Sequence, residues 1–144
     1  MVKAMDTMQE LMATHLKKED TATVVAAREF ARRKMPPPDG PATHVALFLS
    51  DNQSLQDRLA YLRGGLKHHF DTTYHQMKVR ESLVRGDLKE DKWNAADERS
   101  SMCHADPAWS DMHLTVKSLE TLMEYLSSLE WNLRSSSKYY SKGR

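Results

Sequence analysis

The stretch Lys78-Val79-Arg80-Glu81-Ser82-Leu83-Val84-Arg85-Gly86 combines residue types and spacing suited to holding a polyanion. On a helix, Lys78 and Arg80 point about 200° apart, so both cannot share one face with an apolar seam. Their long stems can still swing toward one flank, which suits a flexible chain of phosphates better than a single carboxylate. Arg63 and Lys67 stand upstream on the same segment, and Arg85 precedes a glycine where backbone can approach a phosphate closely. A second mixture closes the chain: Arg134, Lys138, Lys142 and Arg144 interleave with hydroxyls and two tyrosines, and no acid follows Glu130. Cations there would release counterions from phosphates, and Tyr139 would stack on an unpaired base, since Tyr140 continues an apolar seam. Arg28, Arg32, Arg33 and Lys34 form a third basic group, but Glu29 and Asp39 lie beside it, and a solvated helix face explains it equally well.

Histidines offer the other chemistry. His68, His69 and His75 fall within two turns of one helix with Asp71 between them, and His104 and His113 lie near Cys103. His68 and His75 could share a face and reach a metal with Asp71. Zinc sites favour ligands at i, i+4 or in Cys/His pairs, and this spacing is looser, so the histidines read as surface or seam-flanking residues. No Gly-rich phosphate loop, His-Glu-x-x-His, Cys-x-x-Cys or Gly-x-Ser-x-Gly occurs. The expectation is a protein that is not an enzyme, with no cofactor and no metal.

These residues need elements to position them, and the composition points to helices. The chain of 144 residues has only five glycines and five prolines, with nine methionines and many leucines. Val2, Met5, Met8, Met12 and Leu16 mark a first helix to about Lys18, and Asp20 or Thr21 would cap a second through Val24, Ala27, Phe30 and Ala31. Pro36-Pro37-Pro38-Asp39-Gly40-Pro41 then stops any helix and reads as a hinge. A seam of Leu55, Leu59, Leu62, Leu66, Phe70, Thr73, Met77 and Val84 predicts a long helix from about Thr43 to Arg85, ended by Gly86, with a bend or close packing at Gly64-Gly65. Asp87 to Asp106 is a polar connector with room for a short helix around Ala95 to Met102. Asp106-Pro107 reads as a cap and first helical residue. It opens a last helix carrying Trp109, Met112, Val116, Leu119, Met123, Leu126, Leu129 and Leu133 at heptad-like spacing. Leu122 and Tyr125 widen its apolar face beyond a two-stranded seam, and self-association is the economical way to cover the excess.

The fold expected is therefore all-α. A long antiparallel hairpin in the body (43–144) follows a helical arm (1–35) and a Pro-rich hinge (36–42), and Trp109, Met112, Val116, Leu119, Met123, Leu126 and Leu133 form an oligomer interface. The net charge of +1 hides separated blocks. Asp57 to Arg85 carries six cations against three acids, Gly86 to Asp106 three against six, and Trp131 to Arg144 four against none. Such blocks predict one face for a polyanion and another for protein. One cysteine, no apolar run of membrane length and no charged-then-apolar amino terminus predict a soluble protein of the reducing cytoplasm, not a membrane protein.

From Leu66 to Tyr140 the chain resembles the UvsY-like recombination mediator proteins of tailed bacteriophages. The resemblance rests on Lys78-x-Arg80 near a helix end, the pair Leu83 and Val84, Gly86 eight positions after the first cation, and Ala105-Asp106-Pro107 opening a long last helix. The chain departs from that pattern in having Leu83 and Val84 where the family has tyrosines, and in placing Glu81 one residue early. The resemblance implies ring-like homo-oligomers that bind single-stranded DNA and help load a recombinase on strands covered by single-strand binding protein, within an infected bacterial cell. DNA contacts would be Lys78 and Arg80, with Arg85, Lys67, Arg63, Arg134, Lys138, Tyr139 and Lys142 from the residue reading. The alternative is a small phage-encoded helical inhibitor or assembly factor acting on a protein partner, motivated by the acidic stretch from Gly86 to Glu130.

Overall fold

The computed structural model describes residues 2–86 and 102–141, with side chains placed for 7–84 and 102–140. Among these residues the protein is all-α. It has helices α1 (Val2–His15), α2 (Lys18–Arg32), α3 (Ala42–Gly86) and α4 (Pro107–Ser141), a helical turn at 102–105, and no strand. None of the helices is long and apolar enough to cross a membrane. The short helix expected around Ala95 to Met102 lies outside the described residues except at its last position, as do the side chains of Arg85 and Lys142.

Helix α2 begins earlier than its expected cap. Lys17 takes the cap position in extended backbone with no side-chain bond to the helix, and Asp20 falls inside the first turn with Glu19. Two carboxylates there complement the positive helix end, so the start does not depend on a capping side chain. Helix α4 begins as its sequence predicts. The Asp106 carboxylate accepts the Trp109 backbone N–H at 2.9 Å, and Pro107 is the first helical residue, where its missing donor costs nothing.

The protein divides into two compact units, Met1–Gly65 with Leu122–Arg144, and Leu66–Thr121. In the first, α1 and α2 touch one another, and Met12, Val24, Ala27 and Phe30 are buried along with Phe48, Leu55, Leu59 and Leu62 of α3. Leu122, Leu126, Leu129, Leu133 and Tyr140 of α4 are buried too, each large apolar side chain removed from water contributing about 1.5–3 kcal/mol. The α3 and α4 segments of this unit run in opposite directions. Phe48 lies 5.4 Å from Tyr140, Asn52 Nδ2 donates to the Leu133 carbonyl at 2.9 Å, and Arg63 reaches Glu130. Asn52 fills a fully buried position of the α3 seam, and Gln56 donates to its carbonyl oxygen. A buried amide satisfied on both sides fixes the pairing register, because a slip would strand its polar atoms.

The proline-rich segment is held in place within this unit. The Arg33 N–H closes α2 on the Phe30 carbonyl, and the Gly40 N–H donates to Pro37 O at 3.0 Å, forming a turn. Tyr140 donates its hydroxyl to Pro36 O, tying the end of α4 to the first proline, and burial raises the phenol's pKa. Phe30 stacks on Phe48 at 5.0 Å, so α2 rests directly on α3.

In the second unit Met77, Cys103, Trp109 and Val116 form a small core, with Phe70, Val84 and Met112 packed against it. The expectation of close packing at Gly64-Gly65 is not met: α3 continues through both, and a Cβ on either would touch nothing within 4 Å. The boundary between the two units falls immediately after this pair.

Candidate nucleic-acid interface

Four cations of α3 put forward by the sequence, Arg63, Lys67, Lys78 and Arg80, each meet an acid of the protein itself. Arg63 donates from Nε to Glu130 Oε2 at 2.6 Å and from Nη2 to Oε1 at 3.3 Å. The Glu130 side chain is only 4% exposed, against 41% for Arg63. A buried carboxylate needs a partner to stay charged, and the fork of a guanidinium supplies one with fixed geometry. Lys67 pairs with Asp71 at 3.0 Å, one turn along the same exposed helix face.

Lys78 and Arg80 do not act as one patch. Lys78 pairs with Glu81 at 3.3 Å and lies 5.4 Å from the centre of the Tyr74 ring. Arg80 turns the other way and grips Asp106 bidentately, Nε to Oδ2 at 2.8 Å and Nη2 to Oδ1 at 2.7 Å. The Arg80 hydrogen bonds, reinforced by the Trp109 N–H, lower the Asp106 pKa to about 2. Asp106 thus serves as both helix cap and ion-pair partner. The half-turn that separates Lys78 from Arg80 sends one toward solvent and the other toward the start of α4.

The carboxy-terminal part of α4 differs. Trp131, Arg134 and Lys138 stand at i, i+3 and i+7, within about 60° of one another around the helix and spanning about 10 Å. All three are exposed, Trp131 at 66%, and Tyr139 beside them is 55% exposed. None of the ion pairs among the described residues involves Arg134 or Lys138. Tyr140 by contrast is buried, as its place in the apolar seam predicts. An exposed indole in line with two unpaired cations can stack on a base while the cations meet flanking phosphates. The sequence put Trp131 in the same acid-free tail as Arg134, Lys138 and Tyr139 but gave a contact role only to the last three. The i, i+3, i+7 spacing of Trp131 with the two cations was the available signal.

The residues expected to join subunits lie along the apolar seam of α4. Trp109, Val116, Leu119, Leu126 and Leu133 are buried by the protein's own atoms, and Met112 and Met123 are partly buried. Heptad spacing marks which side chains leave water, and it says nothing about whether the covering surface belongs to the same chain. The histidines converge on no metal site: among the described residues no group of three His, Cys, Asp or Glu side chains could hold an ion. His113 stacks on the Trp109 indole at 4.7 Å and His104 meets its edge at 4.7 Å. Comparison with protein-family models, with curated proteins and with solved structures finds no match for the chain.

Proposed function

We propose that the protein is a non-enzymatic, self-associating single-stranded DNA-binding protein that promotes loading of a recombinase onto strands otherwise covered by single-strand binding protein. The observation that carries this reading is the exposed stripe of Trp131, Arg134 and Lys138 with Tyr139 at its edge, which no acid of the described residues neutralises. Stacking on an indole and attraction to a basic row act on any unpaired strand regardless of sequence, as a loading factor requires. Lys142 extends the same row in the sequence. In this reading α3 and α4 make one long antiparallel hairpin, copies of which close into a ring, and repetition of a modest site supplies avidity. Lys78, exposed at the end of α3, adds a contact, while Arg63 and Arg80 hold the fold. The resemblance to phage recombination mediators supplies the recombinase and the bacterial cytoplasm as setting.

Titration of a fluorescently labelled oligothymidylate is the test. Binding should weaken steeply with salt, and Arg134→Ala with Lys138→Ala should reduce the salt slope by about 1.4, at about 0.7 per phosphate contact on a single strand. Absence of binding at low salt rejects the function. Unchanged affinity and slope in the double variant reject the stripe as its site.

A further inference from the structure

The first unit carries two hollows of opposite charge at the two ends of the groove between α2 and α3. One, of about 310 Å³, is lined by Glu19, Asp20 and Thr23 of α2 with Asp57, Arg58 and Tyr61 of α3. Three carboxylates face a single cation there, and Tyr61 stands in solvent at 87% exposure. The other, of about 380 Å³, is lined by Arg33, Lys34 and Pro36 beyond the end of α2 with His44, Leu47 and Asp51 near the start of α3. Two cations and a histidine face one carboxylate, and Leu47 is 63% exposed. From Leu47 to Tyr61 is fourteen residues, about 20 Å along α3. No ion pair among the described residues uses Glu19, Asp20, Asp57, Arg33 or Lys34.

We infer that the acidic, tyrosine-bearing end of this unit docks into the basic hollow of a second copy of the same chain. The occupant follows from complementarity in both charge and polarity. Glu19, Asp20 and Asp57 would meet Arg33, Lys34 and His44, and the Tyr61 ring would cover Leu47 and Pro36. A nucleic acid would satisfy the cations as well, but this hollow offers no exposed Phe, Tyr or Trp ring for a base, since Phe48 at its floor is buried and already stacked. The walls are set before docking. Arg33 lies over the Phe30 ring at 5.6 Å, and the Tyr140 hydroxyl fixes Pro36. Because the two surfaces are different and lie at opposite ends of one groove, the contact is head-to-tail, and a chain of docked copies keeps one free hollow at each of its ends. Such contacts propagate, into a ring where the rotation between copies closes and into an open filament where it does not. The inference deepens the self-association in the proposed function and moves it from the apolar seam of α4, which the chain covers itself, to the charged ends of the α2–α3 groove.

Light scattering on the full chain, without nucleic acid, tests it. Wild type should exceed monomer mass at low salt and dissociate as salt rises. Glu19→Lys with Asp57→Lys leaves both hollows basic, and Arg33→Glu with Lys34→Glu leaves both acidic, so each variant alone should weaken association at least tenfold. An equimolar mixture of the two should assemble again, which no unfolded variant can do. All four positions are exposed, and circular dichroism should show unchanged helix content. As a milder probe, Tyr61→Ser should weaken wild-type association. Monomeric wild type overturns the inference, as does an oligomer indifferent to both charge reversals or a mixture that stays monomeric. Strand binding by the same samples is a separate readout: its loss with assembly intact would reject the nucleic-acid reading alone.

Discussion

Four cations of α3 and two at the end of α4 look alike in the sequence and have opposite fates in the fold. Arg63 and Arg80 grip Glu130 and Asp106 bidentately, and Lys67 and Lys78 pair within their own helix. Arg134 and Lys138 enter no ion pair with a described residue and stand beside an exposed tryptophan. The difference lies in what faces each group. The acids from Gly86 to Glu130 include both bidentate partners of α3, whereas no acid follows Glu130. A guanidinium clamped on a shielded carboxylate is committed to the fold, because any polyanion that recruited it would leave the carboxylate unpaired. A cation with no such obligation is available to a phosphate at little cost.

Breaking the strongest α3 pair gives the largest effect. Arg63→Ala leaves Glu130 shielded and alone, and unfolding by urea should show a loss of about 3 kcal/mol, the low end for a buried pair because the guanidinium is partly in water. A loss below about 0.5 kcal/mol would place Arg63 with the surface cations and erase the contrast. Arg80 and Asp106 should betray themselves through pH. With its folded pKa near 2 against an ordinary 3.8, the Asp106 carboxylate contributes stability that is complete above the ordinary value and disappears as pH falls toward 2. Melting temperatures from pH 6 to 2 should fall less in Arg80→Ala than in wild type, since the variant no longer has the chief cause of that shift. On the other side of the comparison, Trp131→Ala should weaken single-strand binding by about 2 kcal/mol, roughly thirtyfold, with stability almost unchanged. Trp131→Phe should keep most of the affinity, which separates stacking from a packing role.

Local rules were legible in the sequence. Leu55, Leu59, Leu62, Leu66 and Met77 are buried where periodicity put them, and Asp106-Pro107 starts α4 through the geometry its residue types imply. Partner choice across the chain was not. The pairing of Arg63 with Glu130 and of Arg80 with Asp106 spans 67 and 26 residues, and nothing in a charge count says which acid a given cation will meet. Asn52 shows the same limit from inside the core. It continues the seam spacing, yet its polarity hides it until the Leu133 carbonyl is in place. The α4 seam was legible as burial alone, because apolar spacing fixed what is buried and left the covering surface open.

Stiffening α3 sharpens the contrast further. Gly64→Ala and Gly65→Ala each add a methyl group that meets nothing within 4 Å, and neither glycine needs positive φ. Each should stabilise the protein by about 1 kcal/mol, the helix-propensity difference between the two residues. If α3 serves the fold and α4 the strand, the double variant should gain stability by urea unfolding and bind oligothymidylate as wild type does. A change in affinity would show that strand binding uses a deformation of α3, and the division of labour between the helices would fail.

The smallest expected effect is the most discriminating. Lys67→Ala removes an exposed i, i+4 pair with Asp71, and Lys78→Ala an i, i+3 pair with Glu81, and each should cost no more than about 0.5 kcal/mol of stability. These two lysines stand between the extremes, paired like the arginines but solvated like the α4 stripe. A pair this weak gives way to a phosphate, so pairing alone does not withdraw a lysine from a strand. The proposed function then separates them, because it makes Lys78 a strand contact and gives Lys67 none. Of the two, only Lys78→Ala should weaken oligothymidylate binding, by about twofold to threefold, and less than Lys138→Ala does. If Lys78→Ala costs as much affinity as Lys138→Ala, the strand runs on both helices and the contrast holds only for the arginines. If neither lysine matters, binding belongs to α4 alone.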